Sequence, residues 1–101
     1  MTVEKVGVKN EQEAEELALV ILEFILADQV LLDRFLAMSG VTPSQMKSSL
    51  TDRNFLIGVL DFLLGNEADV ISFCEQREAA LENPKIARQI LAGYPDGKSI
   101  I

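Results

Sequence analysis

A unit made of a helix end, a capped helix and a short helix that starts with proline occurs twice in this chain. Residues 22–28 align with residues 60–66 at an offset of 38. At the same offset Phe35 matches Phe73. After an insertion of three residues, Thr42-Pro43 matches Asn83-Pro84, Lys47 matches Arg88, and Leu50 matches Leu91. Repeats of about 40 residues are typical of stacked helical units. Two copies are fewer than a free solenoid needs, so we expect one closed domain with approximate twofold symmetry; chance similarity between capped helices is the alternative.

The composition agrees with a helical fold. Of the 101 residues, 49% are hydrophobic and only nine are glycine or proline (six and three), which favours helix over strand. Apolar residues recur at helical spacing from Glu11 onward. We therefore predict an all-α, compact bundle of five or six short helices. Residues 1–10 are expected to form a flexible N-terminal arm, residues 11–93 a single helical domain, and residues 94–101 a flexible C-terminal tail.

The strongest local signal is the turn before the third helix. Gly40 provides a left-handed stop, Thr42 an N-cap, Pro43 the first helical position, and Gln45 the partner that completes a capping box. The third helix is expected to end near Leu50. Other predicted helix starts lie at Asp28, Asp52 or Thr51, Asn66 and Asn83-Pro84, with stops at Gly65 and Gly93. Gly58 falls inside the fourth helix, where we expect it to permit close packing between helices.

Several of these segments resemble a bacterial family known as domain of unknown function 3572. The resemblance rests on Arg34-Phe35-Leu36, Gly40-Val41-Thr42-Pro43, Phe55-Leu56, Val59-Leu60-Asp61-Phe62-Leu63-Leu64, Glu67 and Phe73, and it covers roughly Glu13 to Leu91. The chain departs from the family pattern at Leu81-Glu82-Asn83, where the family has Gly-Ile before the proline, so the start of the last helix is expected to differ. The resemblance implies a small helical fold and supplies no catalytic residues.

The residue inventory argues against catalysis. Histidine is absent, which removes imidazole bases and histidine metal ligands. Cys74, the single cysteine, lies on an apolar stripe and is expected to be buried. No phosphate-binding glycine loop or calcium-loop pattern occurs, so we expect no enzyme activity, no cofactor and no metal. The apolar stretch 17–27 is too short to span a membrane, and no signal peptide is evident, which indicates a cytoplasmic protein.

An apolar surplus indicates an interaction module. The first helix and the end of the fourth carry more apolar residues than one inward face can hold. Some of them are expected to remain for a protein partner, either another protein or a second copy of the chain: Val20, Leu22, Leu26, Phe62 and Leu64. The alternative is that the first helix is simply central in the core.

A helix-turn-helix that binds DNA is the rival interpretation. In that case the third helix presents polar residues to the base edges: Ser44, Gln45, Lys47 and Ser48. Against it stand the shortness of this helix, its single lysine, and a net charge of −7, which is repelled by phosphate. The sequence therefore favours protein contact over nucleic acid and gives no reason to expect membrane binding.

Overall fold

The computed structural model describes residues 8–93, which form six helices. Their bounds are α1 (Glu11–Leu26), α2 (Gln29–Ser39), α3 (Pro43–Ser48), α4 (Arg53–Leu64), α5 (Glu67–Arg77) and α6 (Asn83–Leu91). No strand occurs between Val8 and Gly93, so the predicted all-α class is confirmed. Helix α3 ends two residues before the expected position. The predicted arm and tail lie outside the described residues over 1–7 and 94–101.

The first five helices begin at side-chain caps, because each cap accepts a hydrogen bond from a backbone N–H that has no partner within the helix. These caps are Asn10, Asp28, Thr42, Asp52 and Asn66. The cap of α1, Asn10, lies before the predicted start of the helical domain at residue 11. Asn10 accepts from the Glu13 amide at 2.8 Å, and Val8 packs against the core. Asn10 and Val8 thus contact the helical domain.

The start of α6 differs from that of α3, as the departure from the family pattern led us to expect. No side-chain hydrogen bond caps α6, and Glu82 occupies the cap position. Asn83 was predicted to open this helix in the way that Thr42 opens α3, but its side chain is buried and it lies within the helix. Pro84 supplies the fixed backbone angle at the helix start. The expected equivalence of the two caps is therefore wrong, although both helices have a proline in their first turn.

The centre of the domain is formed by α1 and α4, the first helices of the two repeated units. Helix α6 packs against both of them, α2 packs against α1, and α5 packs against α4. The matched Phe35 and Phe73 are both buried. Phe35 meets Phe62 edge to face with ring centres 5.4 Å apart, and Phe73 meets Phe24 at 5.3 Å. Such edge-to-face pairs stabilise a core beyond their buried area.

The two units differ at their third helix. Helix α6 is wedged against α1 and α4, whereas α3 has only sparse backbone contact with the other helices. Helix α3 forms one side of an opening between helices.

Gly58 was expected to permit close packing between helices. It is exposed on α4, and a Cβ atom added there would meet no heavy atom within 4 Å. No helix packs closely against this position, so the predicted packing role is wrong.

A candidate docking groove

An apolar groove opens between α1, α2 and α3. Its volume is about 510 Å³. The residues that line it are Leu22, Leu26, Leu32, Leu36, Pro43, Ser44, Met46, Lys47 and Leu50. Seven of these nine side chains are aliphatic, and none is acidic. Pockets of roughly 300–1,000 Å³ with mainly apolar walls are typical of ligand sites, which makes this groove the leading candidate for a functional surface.

Each wall of the groove follows from helical spacing. Leu22 and Leu26 lie one turn apart on α1, and Leu32 and Leu36 lie one turn apart on α2. Leu22 forms the floor because it is 4% exposed, while Leu26 at the rim is 48% exposed. Leu50, in the turn after α3, is 37% exposed on the other side. The rim therefore presents large aliphatic side chains to solvent.

Local hydrogen bonds at both ends of α3 hold this wall of the groove, and Met46 anchors it in the core. The backbone N–H of Gln45 donates to Thr42 Oγ1 at 3.2 Å, and the backbone N–H of Thr42 donates to Gln45 Oε1 at 2.9 Å. These two bonds complete the predicted capping box. At the other end, the hydroxyls of Ser48 and Ser49 both donate to the Gln45 carbonyl. Gly40 ends α2 at φ 71°, in the left-handed conformation expected for it. Both ends of α3 are thus specified by its own short segment.

A single charge, that of Lys47, lies in the groove lining. The arginines of residues 8–93 all pair with carboxylates of the chain, in the pairs Arg34–Asp69, Arg53–Glu11, Arg77–Glu23 and Arg88–Asp61. Lys47 forms no ion pair within that range. Its side chain is exposed at the groove.

A comparison with family models now bears on the chain as a whole. The model described as "Protein of unknown function (DUF3572)" matches residues 11–94, which include all six helices. The chain belongs to the DUF3572 family. This confirms the resemblance that the sequence motifs indicated. No curated protein and no solved structure matches this DUF3572 chain.

The structure divides the apolar set that we predicted for an interaction surface. Leu22 and Leu26 line the groove of this DUF3572 protein, and Val20 and Leu64 are half-buried elsewhere. Only some of the set were expected to remain on the surface; Leu26 is 48% exposed, whereas Leu22 and Phe62 are each only 4% exposed. Phe62 is covered because Phe35 packs against its ring and the Arg34 guanidinium lies 5.2 Å from the ring centre.

The polar set predicted on the third helix is exposed throughout. Ser44 and Lys47 line the groove, whereas Gln45 and Ser48 do not. Residues from both predicted sets therefore meet in one place: Leu22 and Leu26 on α1 face Ser44 and Lys47 on α3 across the groove. The sequence offered no signal that the two sets belong together, and it missed Leu32 and Leu36 on the α2 wall.

Cys74 in this DUF3572 protein has the surroundings of a structural thiol. It is buried, as predicted, and its Sγ atom donates to the Ala80 carbonyl at 3.6 Å. Burial raises the pKa of the thiol, and the nearby Glu82 carboxylate raises it further. A raised pKa keeps the sulfur protonated and therefore poorly nucleophilic.

Within residues 8–93, no group of three or more histidine, cysteine or acidic side chains is placed to hold a metal ion. Nor does any helix in that range have the length and apolar character needed to cross a membrane.

Proposed function

We propose that this DUF3572 protein is a non-enzymatic interaction module that binds another protein through the groove between α1, α2 and α3. One observation carries the proposal: an almost wholly aliphatic groove of about 510 Å³ stays open in the folded chain, with Leu26 and Leu50 exposed at its rim. Burying apolar surface gains roughly 25 cal/mol per Å², so a complementary apolar surface is drawn to such a groove. The absence of acidic lining residues removes a desolvation cost that binding would otherwise incur.

Co-purification from the cell that makes the protein tests the proposal, with a matched pair of variants. Leu26→Asp places a charge at the groove rim, and Val30→Asp places the same charge on α2 at a position that does not line the groove. Both native side chains are well exposed, so neither change should unfold the chain. We expect one partner to be retained by wild type and Val30→Asp and lost by Leu26→Asp. A partner retained equally by all three proteins would contradict the proposal.

A second copy of the chain is an alternative partner, and light scattering distinguishes it. A module that binds a different protein stays monomeric as its concentration is raised. A dimer that disappears in Leu26→Asp and persists in Val30→Asp would assign the groove to self-association.

DNA binding is the second candidate, favoured by one observation: the four polar residues predicted on α3 are all exposed after a turn at the left-handed Gly40. Two other observations disfavour DNA binding. Helix α3 has six residues, and the Gln45 side chain is engaged in the capping box rather than free to read bases. A mobility shift that weakens with salt and disappears in Lys47→Glu would support DNA binding. We expect no shift, because the chain carries a net charge of −7.

A further inference from the structure

The third helix of each repeated unit carries a matched row of residues. This row is buried in the second unit and partly open in the first. Along α6 the row Pro84, Ala87 and Leu91 is buried. The matched row of the first unit is Pro43, Met46 and Leu50, and all three line the groove. Within this row, Pro43 and Leu50 are exposed, while Met46 between them is only 6% exposed. The row is therefore buried along its whole length in the second unit and open at its two ends in the first.

Helices cover the buried row. Helix α6 packs against α1 and α4, and α4 also supplies a carboxylate. Arg88 Nε donates to Asp61 Oδ1 at 2.7 Å, and Arg88 Nη2 donates to Asp61 Oδ2 at 3.3 Å. This two-point contact raises the pKa of the Arg88 guanidinium, through the hydrogen bond first and the charge second. The contact between α4 and α6 thus combines apolar packing with one ion pair.

The first unit has the cation of this pair without its anion. Lys47 corresponds to Arg88, and Glu23 corresponds to Asp61 at the offset of 38. Glu23 does not reach Lys47, since its carboxylate lies 3.7 Å from Arg77 on α5. No acidic side chain lines the groove. Lys47 therefore stands beside a row that is open at both ends, without the carboxylate that pairs with Arg88 in the second unit.

We infer that the occupant of the groove is an amphipathic α-helix of another protein that carries an aspartate or glutamate facing Lys47. This inference rests on the proposed function and specifies the chemistry of the partner. The helix lays aliphatic residues, spaced at i, i+3 or i+4, and i+7, on Pro43, Met46 and Leu50. Its carboxylate pairs with Lys47 as Asp61 pairs with Arg88. The net negative charge of the chain opposes an acidic partner only weakly at this range, because salt screens charges beyond about 8 Å at physiological ionic strength.

A displayed library of helical peptides tests this inference against the full-length chain. The library has an alanine-rich scaffold with randomised residues along one stripe and a flanking position that is Asp, Asn, Lys or Ala. Enriched peptides are then synthesised and their dissociation constants measured by fluorescence anisotropy. We expect aliphatic residues along the stripe and a carboxylate at the flanking position. Exchange of that Asp for Asn should weaken binding about two- to fivefold, which is the range of an exposed ion pair.

Variants of the protein locate the peptide. Leu26→Asp should weaken binding about tenfold or more, because it places a charge at the groove rim against the apolar stripe of the peptide. Lys47→Glu should abolish the preference for Asp and create a preference for the Lys peptide. The matched controls are Val30→Asp and Lys85→Glu, which change exposed residues outside the groove and should leave affinity unchanged.

The outcomes separate this inference from the proposed function. Peptides that depend on Leu26 but prefer Asn or Lys at the flanking position overturn the carboxylate assignment and leave the groove as a docking site. A library that gives no peptide dependent on Leu26 overturns the helical occupant, while the proposed function is decided by the co-purification result. A groove-dependent dimer of the chain itself overturns the assignment to another protein.

Discussion

Gly58 occupies the middle of α4 without a packing reason, and replacing it by alanine should stabilise the domain. The added Cβ atom meets no heavy atom within 4 Å, and the backbone at Gly58 is helical rather than left-handed. The gain is therefore the difference in helix propensity, about 0.8–1.0 kcal/mol. For a domain of this size, that corresponds to a rise in melting temperature of roughly 4–8 °C.

Gly40 is the matched control for this change. It is equally uncrowded, since an added Cβ again meets nothing within 4 Å, but its φ is +71°. Alanine in that left-handed conformation is disfavoured by roughly 1–2 kcal/mol. Gly40→Ala should therefore destabilise the protein although the same atoms are added into the same open space.

Urea denaturation followed by circular dichroism measures both changes. We expect the midpoint of Gly58→Ala to rise and that of Gly40→Ala to fall, with unchanged slopes. A fall for Gly58→Ala would refute the reasoning, because it would mean that a neighbouring group occupies the space beside α4.

Other predictions concern the caps, the thiol and the surface ion pairs. Thr42→Ala removes the capping box and should lower the free energy of unfolding by about 0.5–2 kcal/mol in urea titrations, an effect that Ser restores. Cys74 should react slowly with a thiol reagent in the native protein and fully in denaturant. Since its pKa is raised in the fold, the associated stability is present below its ordinary pKa of about 8.5 and declines at higher pH. Cys74→Ala should remove that decline above about pH 8.5. Asp61→Asn should change stability by less than about 1 kcal/mol, because both partners of its ion pair are substantially exposed.

The sequence predicted those parts of the fold that depend on short-range interactions. The caps Asp28, Thr42 and Asn66 were correct because each acts on a backbone N–H within three residues of it. The prediction that Asn83 caps α6 was wrong, because a longer-range interaction outweighed the local pattern. Its local pattern favours a cap, but burial of the side chain in the core decided its role.

The candidate site depends on long-range contacts, and the sequence predicted it only in part. Helical periodicity identified Leu22, Leu26 and Phe62 as apolar but could not show how many sides of each helix have a neighbour. Phe62 is covered by a residue 27 positions earlier, Phe35. The groove exists because α3 stands apart while α6 is packed inward, a difference between two similar segments that only the tertiary arrangement reveals.

Photo-crosslinking in the living cell tests the groove most directly. Benzoylphenylalanine is placed at Leu50 on the groove rim, and in a separate protein at Leu81, an exposed leucine that does not line the groove. The account predicts a discrete adduct with another protein from position 50 that disappears when Leu26→Asp is added, and no such adduct from position 81. An adduct of equal yield from both positions, or one from position 50 that persists with Leu26→Asp, would contradict the assignment of the groove as the docking site.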